Sequence, residues 1–484
     1  MWLTMECAGH GVVSQDGLPP TEIRLKSKGL KSKAFQRSPD QSTPQWPTSV
    51  ANKISSTHNS SVEKIGYMLR KLILGSILLT TLPTFGLTLT WEQCLDLVLK
   101  NNKELLSKQA DFSASVERVG ISENGYYPHV SGSLNYSLIE SQEPESTSSK
   151  SYGAGLALSQ NLFTGFADEN RIREAEARSR ETEKDVQLLE ARLSKDLKIA
   201  FENHQHATRL ISLQNSIVER RKNNVRLVTL RFEGGRENLG SVSLSKATLS
   251  EARLELTQAK LSLRRSKVAL SQILGLADYE DLDLEGAVPI APLPSADLKL
   301  IPLSMETPAV SRAQASEEAE QAIFNVKRSA FFPNLSLFAG LNRGDDQFFP
   351  NDNQNWKVEA VLSIPIFNGG RDHYETRAQS QVILSKIHQR VKVQQEVLTN
   401  LETAFNELLI ADERVKVNKE FVDAAKVRSE IAQMRYNNGL LTFEDWYIIE
   451  NELISRERIY LDSQRDRVHK EAIWEETQGR SAFR

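Results

Sequence analysis

Two periodicities alternate along this chain. Val130, Gly132, Leu134, Tyr136 and Leu138 occupy every second position, with Ser131, Ser133, Asn135 and Ser137 between them. Such alternation places apolar side chains on one face of a strand and polar ones on the other. Residues 152–163 repeat it, with Ala154, Leu156, Leu158 and Leu162 against Gly155, Ala157, Ser159 and Asn161. Leu335, Leu337, Ala339 and Leu341 mark a third run, and Val358, Ala360, Leu362 and Ile364 a fourth. Strands are therefore expected at 128–138, 152–163, 333–342 and 356–367. Each is about ten residues long, enough to cross a bilayer as a tilted barrel strand. A soluble sheet with one wet face alternates in the same way. The flanking pairs Tyr126-Tyr127 and Phe331-Phe332 stand where an interfacial aromatic belt would lie, which favours the membrane reading.

The other periodicity is helical and very long. No proline interrupts Asp168 to Phe232, a span of roughly 98 Å at ~1.5 Å per residue. Leu189, Leu193, Leu197, Ala200, Ala207, Ile211 and Val218 recur at spacings of three, four and seven, as do Val397, Leu401, Ala404, Leu408, Ala411 and Val415 further on. Both runs read as coiled-coil seams with charged outer faces. Shorter return helices are expected from Ser241 to Leu274 and from Thr442 to Gln478.

These elements form one unit used twice. Tyr126-Tyr127-Pro128 answers to Phe331-Phe332-Pro333, Leu162-Phe163-Thr164-Gly165 to Ile366-Phe367-Asn368-Gly369, and Arg231-Phe232-Glu233-Gly234-Gly235 to Arg435-Tyr436-Asn437-Asn438-Gly439. Self-similarity at a nearly fixed offset marks a duplicated structural unit. The first repeat is placed at 87–275 and the second at 309–478, followed by a tail at 479–484. Between the repeats, 276–308 carries Pro289, Pro292, Pro294, Pro302 and Pro308 and reads as a connector. Upstream, Met68 to Lys71, the apolar run Leu72 to Pro83 and the small-residue site at 84–86 have the three parts of a secretory signal peptide. Residues 1–67, rich in Ser, Pro and Lys, are read as disordered or untranslated.

Composition narrows the function. The 484 residues hold 60 Lys and Arg against 63 Asp and Glu, and 39% are apolar. That excludes a polytopic helical membrane protein and gives no basic excess for nucleic acid. The two cysteines, Cys7 and Cys94, rule out a disulfide scaffold. His204 and His206 stand two apart on a helix and do not face each other. With no phosphate-binding loop, zinc-protease pair or nucleophile elbow in the sequence, no enzyme, cofactor or metal site is expected. Arg343-Gly344-Asp345 is too short a tripeptide to carry a function.

Four strands cannot close a membrane barrel, since the smallest have about eight. In hydrocarbon each unpaired N–H or C=O on an open edge costs several kcal/mol, so more than one chain must join. On these duplicated motifs, which span nearly all of residues 88–478, the chain resembles the TolC family of outer-membrane efflux channels. The resemblance implies a mainly α fold with a membrane β-barrel portion: a homotrimer closing a twelve-stranded barrel, continued by an α-helical coiled-coil tunnel in the periplasm. It implies a passive exit channel in the bacterial outer membrane. Its partners would be outer-membrane lipid, a periplasmic adaptor and an inner-membrane transporter, in a tripartite efflux pump or type I secretion system. The alternative is a periplasmic coiled-coil adaptor or scaffold, although that class would surround one helical hairpin with a compact β domain.

The resemblance also assigns residues. Gly235, Arg236, Gly439 and Leu440 match helix tips that dock the adaptor. Asp445 matches an acidic residue lining the constricted entrance, where three copies would attract cations, and Tyr436 matches a tyrosine that holds the tip shut. The family's arginine position is Leu441 here and its first-repeat acid is Ser241, so apolar packing is expected to hold the tip in place of a polar lock.

Overall fold

A computed structural model describes residues 87–141, 147–278, 282–295, 298–348 and 354–483. The expected signal peptide and the segment before it lie outside the described residues. The strands and helices, numbered separately in chain order, are β1 (Leu87–Leu89), α1 (Trp91–Asn101), α2 (Lys103–Ser122), β2 (His129–Ser141), β3 (Thr147–Phe163), α3 (Ala167–Glu233), α4 (Leu239–Leu274), β4 (Leu282–Leu284), α5 (Leu300–Met305), α6 (Pro308–Arg328), β5 (Asn334–Asp345), β6 (Gln354–Ser363), α7 (Arg371–Asn437) and α8 (Phe443–Thr477).

One antiparallel sheet has the order β2-β3-β5-β6. Its register puts Leu134 opposite Ala154, Leu156 opposite Leu341, Leu341 opposite Trp356 and Leu335 opposite Leu362. Paired residues share a face, so the four alternating runs add up to one apolar band, which ends where Arg343, Gln354 and Asp345 enter the rows of Ala154 and Tyr152. It is open to the outside: Leu134 is 88% exposed and Trp356 74%. β2 and β6 are both unpaired on their outer edges. The fourth strand stops at Ser363, before the expected Phe367, because Pro365 has no N–H to give and β5 has already ended opposite Ser363. None of the described helices has a stretch long and apolar enough to span a membrane.

Each strand pair feeds a long helix through a tight turn. Gly165 and Gly369 both sit at φ 62°. At Gly165 a Cβ would lie 2.8 Å from the Ser329 carbonyl oxygen, so no other residue fits. The next residue is left-handed in both repeats: Gly370 in the second, Phe166 in the first. Phe166 tolerates φ 71° because its ring is clamped edge-on by Phe163 and Phe332.

α3 and α7 each run 67 residues, about 100 Å, and fold back onto α4 and α8. The core lies midway along them. Trp91, Cys94, Val98 and Leu105 pack on Leu193, Leu197 and Phe201 of α3 and on Leu270 of α4. Leu401, Phe405 and Leu408 of α7 pack with Trp474 of α8. Segment 276–308 is more than a tether. Its β4 pairs with β1, Leu282 and Val288 enter the first cluster, and Leu300 and Leu303 pack against the second.

α3 also lies along α8, joining the repeats. This contact is largely polar. Lys198 Nζ donates to Glu471 at 2.8 Å and to Glu475 at 2.9 Å, His206 meets Asp462 at 2.9 Å, Arg220 meets Glu457 at 2.5 Å, and Arg221 donates to Asn451. Ile217 and Ile454 supply the apolar contact between them.

Candidate functional site

The two hairpin tips, 231–241 and 435–445, have identical backbone logic. In the first, Arg236 N–H donates to Arg231 O at 2.8 Å and Gly235 N–H to Phe232 O at 2.9 Å. In the second, Leu440 N–H donates to Arg435 O at 2.8 Å and Gly439 N–H to Tyr436 O at 2.9 Å. This pattern closes a helix with a left-handed residue just past its end, and Gly235 (φ 68°) and Gly439 (φ 76°) fill that position. Asn238 then caps α4 through Ser241 N–H at 2.9 Å, and Thr442 caps α8 through Asp445 N–H at 3.1 Å. Arg236, Leu440, Gly235 and Gly439 are all exposed, Leu440 to 74%.

Beneath the turns the tips are fastened to each other. Tyr436 is fully buried and stacks on Trp446 with centroids 4.5 Å apart and planes 7° from parallel, while Phe443 lies beside the pair, 6.3 Å from Tyr436 and 6.2 Å from Trp446. This aromatic nest packs with Val228 and Val242 of the first repeat. The expected apolar packing is thus present, and a polar bridge runs beside it. Tyr436 Oη donates to Glu237 Oε2 at 3.0 Å, and the other oxygen of Glu237 accepts from Ser241 Oγ at 2.9 Å. Arg231 donates to Tyr436 O at 2.6 Å and lays its guanidinium 4.4 Å from the centre of the same ring. Burial, then the bond to the Glu237 carboxylate, pushes the Tyr436 phenol well above its ordinary value, so it stays a donor.

Two of these groups escaped the sequence reading. Arg231 was visible as half of a duplicated motif without an assigned role. Glu237 was not singled out, although its repeat equivalent is Leu441, and an acid facing an apolar residue at matched positions is itself a signal. Asp445 lies exposed in the first turn of α8, its carboxylate accepting from Thr442 Oγ1 at 2.6 Å. It is on the tip and outside the Tyr436 bridge. Away from the tips, His204 is buried near Asp283 at 3.9 Å, and His206 is engaged with Asp462. Among the described residues no cluster of His, Cys, Asp or Glu suits a metal. Burial pushes the Cys94 thiol up to about 12, which leaves it unreactive.

The profile of the outer membrane efflux protein family matches residues 94–276 and 304–467, most of both repeats. The probable outer membrane lipoprotein SilC of Salmonella typhimurium is 20% identical over 380 residues, which are 75% of this chain and 80% of that one. The outer membrane efflux protein BepC of Brucella suis biovar 1 is 22% identical over 374 residues, 76% of this chain and 80% of its own. A crystal structure of CusC superposes with a TM-score of 0.74 at 17% identity, covering 82% of this chain and 94% of that one. The open-state MtrE channel of Neisseria gonorrhoeae gives 0.71 at 18% identity, covering 83% and 94%. The fold is shared with both solved channels, and a periplasmic adaptor is set aside.

Proposed function

The chain belongs to the outer membrane efflux protein family, and on that premise we propose that three copies close one channel through the outer membrane. In this reading each copy contributes its four strands to a twelve-stranded barrel, and the helical hairpins assemble into a tunnel reaching toward the inner membrane. Transport through it is passive. An inner-membrane transporter supplies the energy, and a periplasmic adaptor engages the exposed turns at Gly235, Arg236, Gly439 and Leu440. The observation that carries the reading is the sheet: an apolar band across all four strands, two open edges and long helices leaving from one end. Hydrocarbon penalises such edges unless another strand pairs with them.

The entrance is assigned to the tips. The Arg231–Tyr436–Glu237 bridge holds the two hairpins of a copy together, which favours a narrow opening until a partner docks. Asp445, repeated around the axis, would present three carboxylates to entering solute and select cations. The relatives' names speak of cations and solvents, consistent with a conduit whose cargo is chosen by its pump. Fractionation with unboiled gels tests assembly: an outer-membrane oligomer is expected, and a soluble monomer rejects the channel. In planar bilayers Asp445→Ala is expected to reduce cation preference, and unchanged selectivity removes the carboxylate ring.

A further inference from the structure

The alternation of the sheet is broken in two places. On β5, Leu335, Leu337, Ala339 and Leu341 share the face of the apolar band, and Phe338 stands among them on the opposite face; on β6, Val358, Ala360 and Leu362 share the band's face, and Val361 stands opposite. The rest of that second face is small and polar. Among the described residues its side chains are serine, asparagine, glycine and alanine, apart from Ile139 toward the loops and the ionisable His129, Lys357 and Glu359. One exposed phenylalanine is ordinary on a protein surface. Here, however, the two breaks meet. Phe338 is paired with Glu359, and Val361, the next residue of β6 on the same face, is its diagonal neighbour. Paired Cβ atoms lie about 5 Å apart and diagonal ones about 7 to 8 Å, within reach of an aromatic ring. Phe338 is 43% exposed and Val361 39%, so water covers an apolar step beside the one carboxylate among the described positions of this face.

Glu359 meets Lys357 at 2.5 Å, on the side away from Val361. Their side chains are 43% and 72% exposed. A pair so open to water is screened and weak, so the carboxylate can exchange the lysine for a cation arriving from solution.

We propose that Phe338, Val361 and Glu359 form a contact site, one per copy, for organic cations that carry an apolar body. The proposal rests on the channel reading, in which this face lines the lumen, and deepens it by naming a class of solute and the wall that meets it. Phe338 and Val361 cover the apolar body, Glu359 takes the charge, and the face of the Phe338 ring attracts the same charge. A small inorganic cation leaves the apolar step wet, and an organic anion is repelled by Glu359. The site lies four positions past the start of β5, about 13 Å along the strand from the end where the helices leave. Its openness suits a conduit, which must hold a solute weakly enough to release it.

The test records single oligomers of the full-length chain in planar bilayers with three probes. Benzyltrimethylammonium has a cation and a ring, tetramethylammonium a cation alone, and benzenesulfonate a ring with the opposite charge. Benzyltrimethylammonium is expected to reduce the potassium current, with added current noise, at the lowest concentration of the three. Phe338→Ser is expected to raise that concentration about two- to fivefold, the worth of one exposed cation–ring contact. Glu359→Gln is expected to raise it as well, and Asp445→Ala, at the opposite end of the long helices, to leave it unchanged. Should Phe338→Ser fail to assemble, Glu359→Gln and Val361→Ser carry the measurement. Equal action of the three probes on the unmodified channel overturns the site and leaves the channel standing. So does a distinction that survives both Phe338→Ser and Glu359→Gln, or one that is lost with Asp445→Ala alone. An unmodified chain that conducts no ions overturns the channel reading, and the site with it.

Discussion

Tyr436 concentrates three interactions on one side chain, and they are of different strength. The ring's burial and stacking resist loss most: Trp446, its stacking partner, is 2% exposed, and replacing a buried Trp by Ala costs about 3 to 5 kcal/mol. The phenol bond to a carboxylate is smaller, about 1.5 to 3 kcal/mol for a hydrogen bond to a charged group. Tyr436→Phe is therefore expected to leave the tip folded but looser, read as larger single-channel conductance in bilayers, while Trp446→Ala lowers thermal stability outright. A phenol whose folded pKa is raised contributes stability that is complete below its ordinary value of about 10 and is lost as pH rises through the higher one. Alkaline titration is thus expected to loosen the wild-type tip, and to do so less in Tyr436→Phe; equal responses would remove the phenol from the latch. At this scale the sequence was legible where a residue type is dictated by backbone. Gly235 and Gly439 could be read from spacing alone because only a left-handed position follows each helix end. Glu237 could not, since nothing in local periodicity reveals which side chain will meet a ring 199 residues away.

At the scale of elements, periodicity located the long helices closely and the strands less so, one beginning at Thr147 against 152 and another ending at Ser363 against 367, and it failed where an element borrows support from elsewhere. The long helices begin and end within a residue or two of the pattern's limits, because Gly165, Gly369, Gly235 and Gly439 punctuate them. Segment 276–308 looked like a tether because prolines dominate it, yet proline leaves side chains such as Leu282 and Val288 free to fill a core. The inter-repeat contact was also hidden: Lys198 reads as one more charge on a solvated face, but its side chain is 4% exposed and faces Glu471 at 3%. Glu471 is held further by Arg467 and by the Ala291 N–H. Removing Lys198 leaves Glu471 to Arg467 and strips Glu475 of its cation, so the cost is a part of the ~3 to 5 kcal/mol of a buried charge left wholly unpaired. Lys198→Met is expected to lower the unfolding temperature in detergent markedly. The exposed pair Lys222 and Glu219, both more than half exposed, is expected to be near neutral when broken.

For the whole molecule, the decisive asymmetry is between the two faces of one sheet. Leu134 and Ser133 are neighbours on β2, so they share backbone environment, depth and strand register, and differ only in the face they occupy. Leu134 shares its face with Leu156, Leu341 and Trp356 and stands at the margin of the apolar band, its own row running through Ala154 to Arg343, whereas Ser133 stands opposite Gly155 and, beyond it, Asn342 on the other face. If lipid bathes the first face, a further charge at this margin costs less than the ~2 to 4 kcal/mol of the midplane, but it is repeated once per copy in a closed ring. Leu134→Arg is then expected to cut the yield of boiling-sensitive oligomer in the outer membrane. Ser133→Arg would instead meet water, so assembly is expected to proceed and the added charge to register as reduced cation conductance. A sheet used in solution predicts another pattern, in which Leu134→Arg is tolerated at an already exposed position and neither variant alters ion flow. Pulse-labelled membrane fractions together with bilayer recordings of the two variants separate these outcomes, because lipid and water exchange places between adjacent residues.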